Sequence, residues 1–141
     1  MSKPIRVLHP ITRLIIGGAQ ENTLLTAQLL NKDEWVVDVV SGPQTGSEGS
    51  LIETARERGI HVRGAMSCTV GCPYEGEIAP ARVGDLARRM KSIGVQHVGV
   101  ADTIGVGTPL KVRRAFDAAL AHFGIDEVSG HFHDTYGQAL A

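Results

Sequence analysis

At 141 residues with 43% hydrophobic side chains, the chain is long enough for one domain with a real core. It is too short for a closed eight-stranded barrel, which takes about 250 residues. Fourteen basic residues against 15 acidic ones, with neither sign in a block, argue against nucleic acid or a membrane surface as the main partner. No apolar run approaches the roughly 20 residues of a spanning helix and the N-terminus has no signal-peptide core, so the expected setting is cytoplasmic.

In chain order, residues 5–9 are apolar and β-branched, a first strand. A loop over 10–18 ends in Gly17-Gly18, ahead of a helix over 19–30 with Leu24, Ala27, Leu29 and Leu30 at helical spacing. Residues 35–40, apolar apart from Asp38, read as a second, buried strand of the parallel type. A turn-rich loop over 42–46 leads to a helix over 47–58 closed by Gly59, then a third strand over 60–66. A helix over 80–93 closed by Gly94 and a strand over 96–101 follow. The next helix, over 108–123, has Thr108 as its capping hydroxyl, Pro109 at its first position and Gly124 beyond its end. The last strand runs from Val128 through His133, and residues 136–141 begin a final helix.

This βαβαβαβαβ rhythm demands a parallel sheet. The expected fold is α/β: one domain over 1–141, an open, doubly wound, five-stranded sheet of flavodoxin-like order 2-1-3-4-5. The alternative is half of a (β/α)8 barrel that covers its edges by forming a homodimer.

The chemistry gathers at the tail. Strand side chains alternate, so His131 and His133 project to one face at the C-terminal end of a strand, where α/β folds keep their active sites. Two imidazoles there can share a metal. Asp102 ends the preceding strand and reaches the same rim, as a third ligand or catalytic group beside His131, or as the cap of the turn from Thr103 to Gly107. The ordinary alternative for the histidines is a pair of rim side chains bonded to loop backbone. Gly17 and Gly18 are the candidate ligand-binding loop, because glycine lets a backbone approach a ligand and a helix N-terminus favours an anion. A tight strand-to-helix turn is their ordinary use. Cys68 and Cys72, spaced C-x3-C, fall short of a four-ligand zinc site and read as reduced thiols.

Three ordered stretches, Ser67-Cys68-Thr69-Val70-Gly71-Cys72-Pro73-Tyr74-Glu75-Gly76, Asp102-Thr103-Ile104-Gly105-Val106-Gly107-Thr108-Pro109 and His131-Phe132-His133-Asp134-Thr135-Tyr136-Gly137-Gln138-Ala139-Leu140, resemble 3-hydroxy-3-methylglutaryl-CoA (HMG-CoA) lyase, a barrel metallolyase. The resemblance covers about residues 62–141, as strands 5–7 of that barrel. It implies carbon–carbon cleavage of an acyl-CoA with Mg or Mn, held by the two histidines, a first-strand aspartate and an eighth-strand asparagine. It also implies a catalytic cysteine on a flexible loop, and places Arg63, Tyr74 and Glu75 near the substrate carboxylate. The histidines carry over to His131 and His133. The first strand here offers no carboxylate, and the 141 residues contain no counterpart of the asparagine or of that cysteine. Two imidazoles alone suit Ni, Zn or Cu better than Mg.

Residues 4–61 are similar to a different family. Ile11-Thr12-Arg13-Leu14-Ile15-Ile16-Gly17-Gly18-Ala19-Gln20-Glu21-Asn22-Thr23-Leu24, Val40-Ser41-Gly42-Pro43 and Glu48-Gly49-Ser50-Leu51 resemble the N-terminal lobe of family-4 glycosyltransferases of the GT-B type. That resemblance implies phosphate or sugar-nucleotide binding at Gly17-Gly18. Together the two suggest a chimera joined near residue 61: a scaffold with a partial metal site and no turnover. The alternative is an active lyase that completes its site through a partner subunit.

Overall fold

The computed structural model describes residues 3–42 and 47–139. It is α/β, with a five-stranded parallel sheet and a separate two-stranded hairpin. The chain forms two compact units, residues 1–64 with 93–96, and residues 65–92 with 97–141.

In the first unit, β1 (Ile5–Arg13) leads to α1 (Gly18–Leu29), β2 (Trp35–Gly42) and α2 (Ile52–Glu57), and β3 (His61–Met66) begins within it. The β1 strand runs four residues past the expected end and takes in Pro10, tolerable because β1 lies at the sheet edge where a missing N–H breaks no ladder. Parallel β2 lies between its neighbours, pairing Val37 with Val7 of β1 and Val39 with Val62 of β3. This corrects the flavodoxin-like order 2-1-3, which requires β1 in the middle. Right-handed crossovers that always advance in one direction keep their helices on one face, whereas a doubly wound sheet must reverse. One face of this sheet segment is accordingly the core, with Val39 and Val62 fully buried together with Leu24 and Ala27 of α1. Its other face carries Asp38 with Arg6, His61 and Arg63 within 3.9, 3.6 and 3.6 Å.

The second helix is shorter than expected, because residues 47–51 form a bend and an irregular stretch before it starts, with Gly49 at φ +80°. Gly59 closes it with φ +68°, its N–H donating to the Arg56 carbonyl at 2.9 Å. Residues 43–46 of the expected 42–46 loop lie outside the described residues.

The second unit has a hairpin, β4 (Gly71–Cys72) and β5 (Gly76–Glu77), which the sequence reading did not anticipate. Then come α3 (Pro80–Ser92), β6 (His97–Ala101), α4 (Pro109–Leu120) and β7 (Val128–His131), with a short 3-10 turn over Ile125–Glu127 before the last. The strands β6 and β7 pair in parallel from Val98 with Val128 to Ala101 with His131. Val98 and Val100 are fully buried, as are Ala87 of α3 and Ala119 of α4, and Met90 is nearly so. The α3 and α4 helices meet at Gly84, where an added Cβ would come into ordinary contact with Ala118, 3.5 Å from its carbonyl oxygen and 3.7 Å from its Cβ.

Two expectations about the tail are corrected. The strand ends at His131, so His133 stands in the loop beyond it. The helix expected over 136–141 is a turn as far as it is described, with residues 140–141 outside the described residues. The physical cause is local. Gly137 takes φ +65° and donates its N–H to the Asp134 carbonyl at 3.1 Å, while the Asp134 carboxylate accepts the Ala139 N–H at 2.9 Å. These bonds close a turn around Asp134 in place of a helical ladder.

Candidate functional site

The candidate site lies within the second unit, where β6 and β7 end side by side. His131 is the last residue of β7, opposite Ala101, and its carbonyl accepts the Asp102 N–H at 3.0 Å. Although strand alternation stops there, the chain brings His133 back to His131. Their ring centroids are 5.4 Å apart, edge to face at 71°. The two rings are thus neighbours, and each offers a nitrogen of the kind that binds divalent ions.

Asp102 is 1% exposed and its carboxylate is already engaged. One oxygen accepts the Val106 N–H at 3.1 Å and the other accepts the Gly107 N–H at 2.8 Å. The side chain thus closes the loop after β6, the turn-capping use the sequence allows. Among the described residues, no three His, Cys, Asp or Glu side chains gather to hold a metal ion. The residues present offer two nitrogen donors for a divalent cation and, among the described residues, no third His, Cys, Asp or Glu side chain gathered with them, a poor set for Mg.

The three sequence stretches interlock. Cys68, at the unusual φ of +56°, donates its N–H to Thr103 Oγ1 at 2.9 Å. Buried Thr69 donates both its N–H and its hydroxyl to the Ala101 carbonyl, each at 2.9 Å. A Cβ on Gly71 would collide with Val106, and one on Gly105, at φ +69°, would collide with Thr135. Sequence reasoning assigned no role to Thr69, Thr103 or Gly105. The only available signal was the crowding of small and hydroxyl residues into three motifs, which does not say which loop each one meets.

Beside His133 a pocket of about 600 Å³ opens, lined among others by Asp102, Thr108, Phe116, Phe132 and Tyr136. Phe116 and Phe132 pack with ring centroids 5.8 Å apart and planes tilted by 49°, and give it an apolar wall. A second pocket, of about 370 Å³, takes in Cys68, Cys72 and Arg82. Both thiols are free and partly buried. Glu75 forms an ion pair with Arg82, whose guanidinium is held above its ordinary pKa by that hydrogen bond and charge, and Tyr74 is 94% exposed.

Gly17 and Gly18 belong to the first unit. Gly17 precedes α1 in an extended conformation and its carbonyl accepts the Glu21 N–H at 2.9 Å. The Gln20 amide lies over it, within 2.8 Å of where a Cβ would be, and donates to the Arg13 carbonyl. Arg63 pairs with Asp38 in the same unit.

The model of the HMGL-like family matches residues 34–141. The chain belongs to the HMGL-like family. Hydroxymethylglutaryl-CoA lyase of Bos taurus, a mitochondrial enzyme, is 45% identical over 129 residues, 90% of this chain and 39% of that protein. The 3-hydroxy-3-isohexenylglutaryl-CoA/hydroxy-methylglutaryl-CoA lyase of Pseudomonas aeruginosa is 45% identical over 91 residues, 64% of this chain and 30% of that one. The chain thus spans well under half of these relatives. The crystal structure of hydroxymethylglutaryl-CoA lyase from Pseudomonas aeruginosa superposes with a TM-score of 0.71 at 30% identity, covering 98% of this chain and 47% of that one. The five-stranded parallel sheet is consistent with a piece of such a lyase barrel. The HMGL-like match begins ahead of the join expected near residue 61, and the comparisons give no support to a glycosyltransferase lobe or a chimera. No helix among the described residues is long and apolar enough to cross a membrane.

Proposed function

We propose that the chain is a scaffold of the HMG-CoA lyase type that carries a partial divalent-metal site, His131 and His133, and does not turn over acyl-CoA by itself. The observation that carries this reading is the state of the rim: two imidazole rings with centroids 5.4 Å apart, with the Asp102 carboxylate turned onto two backbone amides and that of Asp134 onto the Ala139 N–H. Nitrogen donors without an anionic oxygen favour Ni, Zn or Cu over Mg or Mn. When bound, such a cation would act as a Lewis acid toward a substrate oxygen; the chain's own contribution is to place two donors and an apolar pocket wall beside them.

Calorimetric titration tests the site. Ni²⁺ and Zn²⁺ should give heats of binding that vanish in the His131→Ala/His133→Ala double variant, and Mg²⁺ should give none. A lyase assay on HMG-CoA, run over a range of protein concentrations, tests turnover. Metal-dependent product that rises with protein concentration and disappears in the double variant would replace the scaffold with an enzyme completed across a homodimer. Absence of any heat would remove the metal site.

A further inference from the structure

The two histidines are held in different ways. His131 belongs to the sheet, paired with Ala101, and its carbonyl accepts the Asp102 N–H. His133 has no strand to hold it. What it meets is the loop after β6, at Gly105. A Cβ built there would lie 3.3 Å from the His133 Cβ and 3.6 Å from its Nδ1, and would overlap the Thr135 hydroxyl. The loop offers this bare backbone because it is tied shut from within, by the Asp102 carboxylate on the Val106 and Gly107 amides. With φ at +69°, Gly105 occupies a region that side chains rarely adopt, so glycine is favoured there twice, by conformation and by contact.

We propose that Gly105 is the positioning residue for His133, setting its ring against that of His131, and that Asp102 acts on the histidine pair through this loop. The inference deepens the metal-site reading and rests on it for its functional meaning, while the placement itself can be read without metal.

The test compares the unmodified protein with Gly105→Ala, Thr135→Ala and the Gly105→Ala/Thr135→Ala double variant. Gly76→Ala is the control, since Gly76 has φ +76° but nothing within 4 Å of an added Cβ. Ni²⁺ affinity is measured by calorimetry, and the imidazole signals of the metal-free protein by NMR. Gly105→Ala should weaken Ni²⁺ binding at least tenfold and move the His133 ring signals while leaving those of His131 in place. Removing the Thr135 hydroxyl as well should restore part of the affinity, because the contact with His133 and the backbone penalty remain, and Gly76→Ala should change neither reading. Unchanged affinity and unchanged His133 signals in Gly105→Ala would overturn the proposal, as would equal shifts in Gly76→Ala. If the unmodified protein takes up no Ni²⁺, the metal-site reading fails and the ring signals alone decide the placement. If Gly105→Ala does not fold, the double variant is compared with Thr135→Ala. Loss of folding in the double variant too would assign the glycine to the fold and not to the imidazole.

Discussion

Asp102 shows how one residue can be placed correctly in a sequence and yet be open in its use. Its position after an apolar strand puts it on the rim with His131, but only the coordinates show both oxygens committed to backbone amides. Removing the carboxylate leaves the Val106 and Gly107 donors without that partner. Both bonds are partly buried, and a fully buried donor left unsatisfied costs about 1–3 kcal/mol. Asp102→Ala is therefore expected to lower unfolding free energy by roughly 2 kcal/mol or more in urea titration. Asp102→Asn, which keeps one acceptor oxygen, should lose less. A carboxylate whose main task was to ligate metal would instead show a stability change close to zero in metal-free buffer. His133 was legible in a different sense: alternation predicted its nearness to His131 for a reason that does not apply, since the strand stops first.

At the scale of elements, apolar spacing placed α1, α3 and α4 well, overran α2 and predicted a last helix where the chain makes a turn. In α1, Leu24 is fully buried and Leu29 is 78% exposed, although both were counted on one apolar face. Leu24→Ala should cost about 2–5 kcal/mol and Leu29→Ala less than about 0.5 kcal/mol, measured by chemical denaturation. The hairpin β4–β5 was invisible because two-residue strands have no periodicity to detect. A second element-level tie joins α3 to the turn before β7. The Lys91 ammonium donates to Glu127 at 2.8 Å, and the Gly124 N–H donates to the same carboxylate at 2.9 Å. These bonds hold the Glu127 carboxyl below its ordinary value of 4.5, the lysine contributing most. A depressed carboxyl stabilises the folded state above the unfolded value, and the gain is lost as pH falls through the folded one. Glu127→Gln should therefore be less stable than the unmodified protein at neutral pH, with the gap in thermal melts closing as pH falls below the ordinary carboxyl value of 4.5.

For the molecule as a whole, the sequence carried the parallel α/β rhythm and the lyase resemblance, and the family match bears out both at that level. Strand order was not legible, because the same βαβ pattern serves sheets that reverse direction and sheets that do not; the pairing of β2 with both β1 and β3 decides it. The mutual bracing of the three loops was equally hidden, since it joins residues 30 or more apart, as with Cys68 and Thr103 or Thr69 and Ala101. That bracing bears on protein engineering. Each loop is braced by its neighbour, so a graft of the histidine segment alone onto a barrel would arrive without its mould. A transplant would have to carry all three loops together, and exchanges made one at a time would understate what the set does.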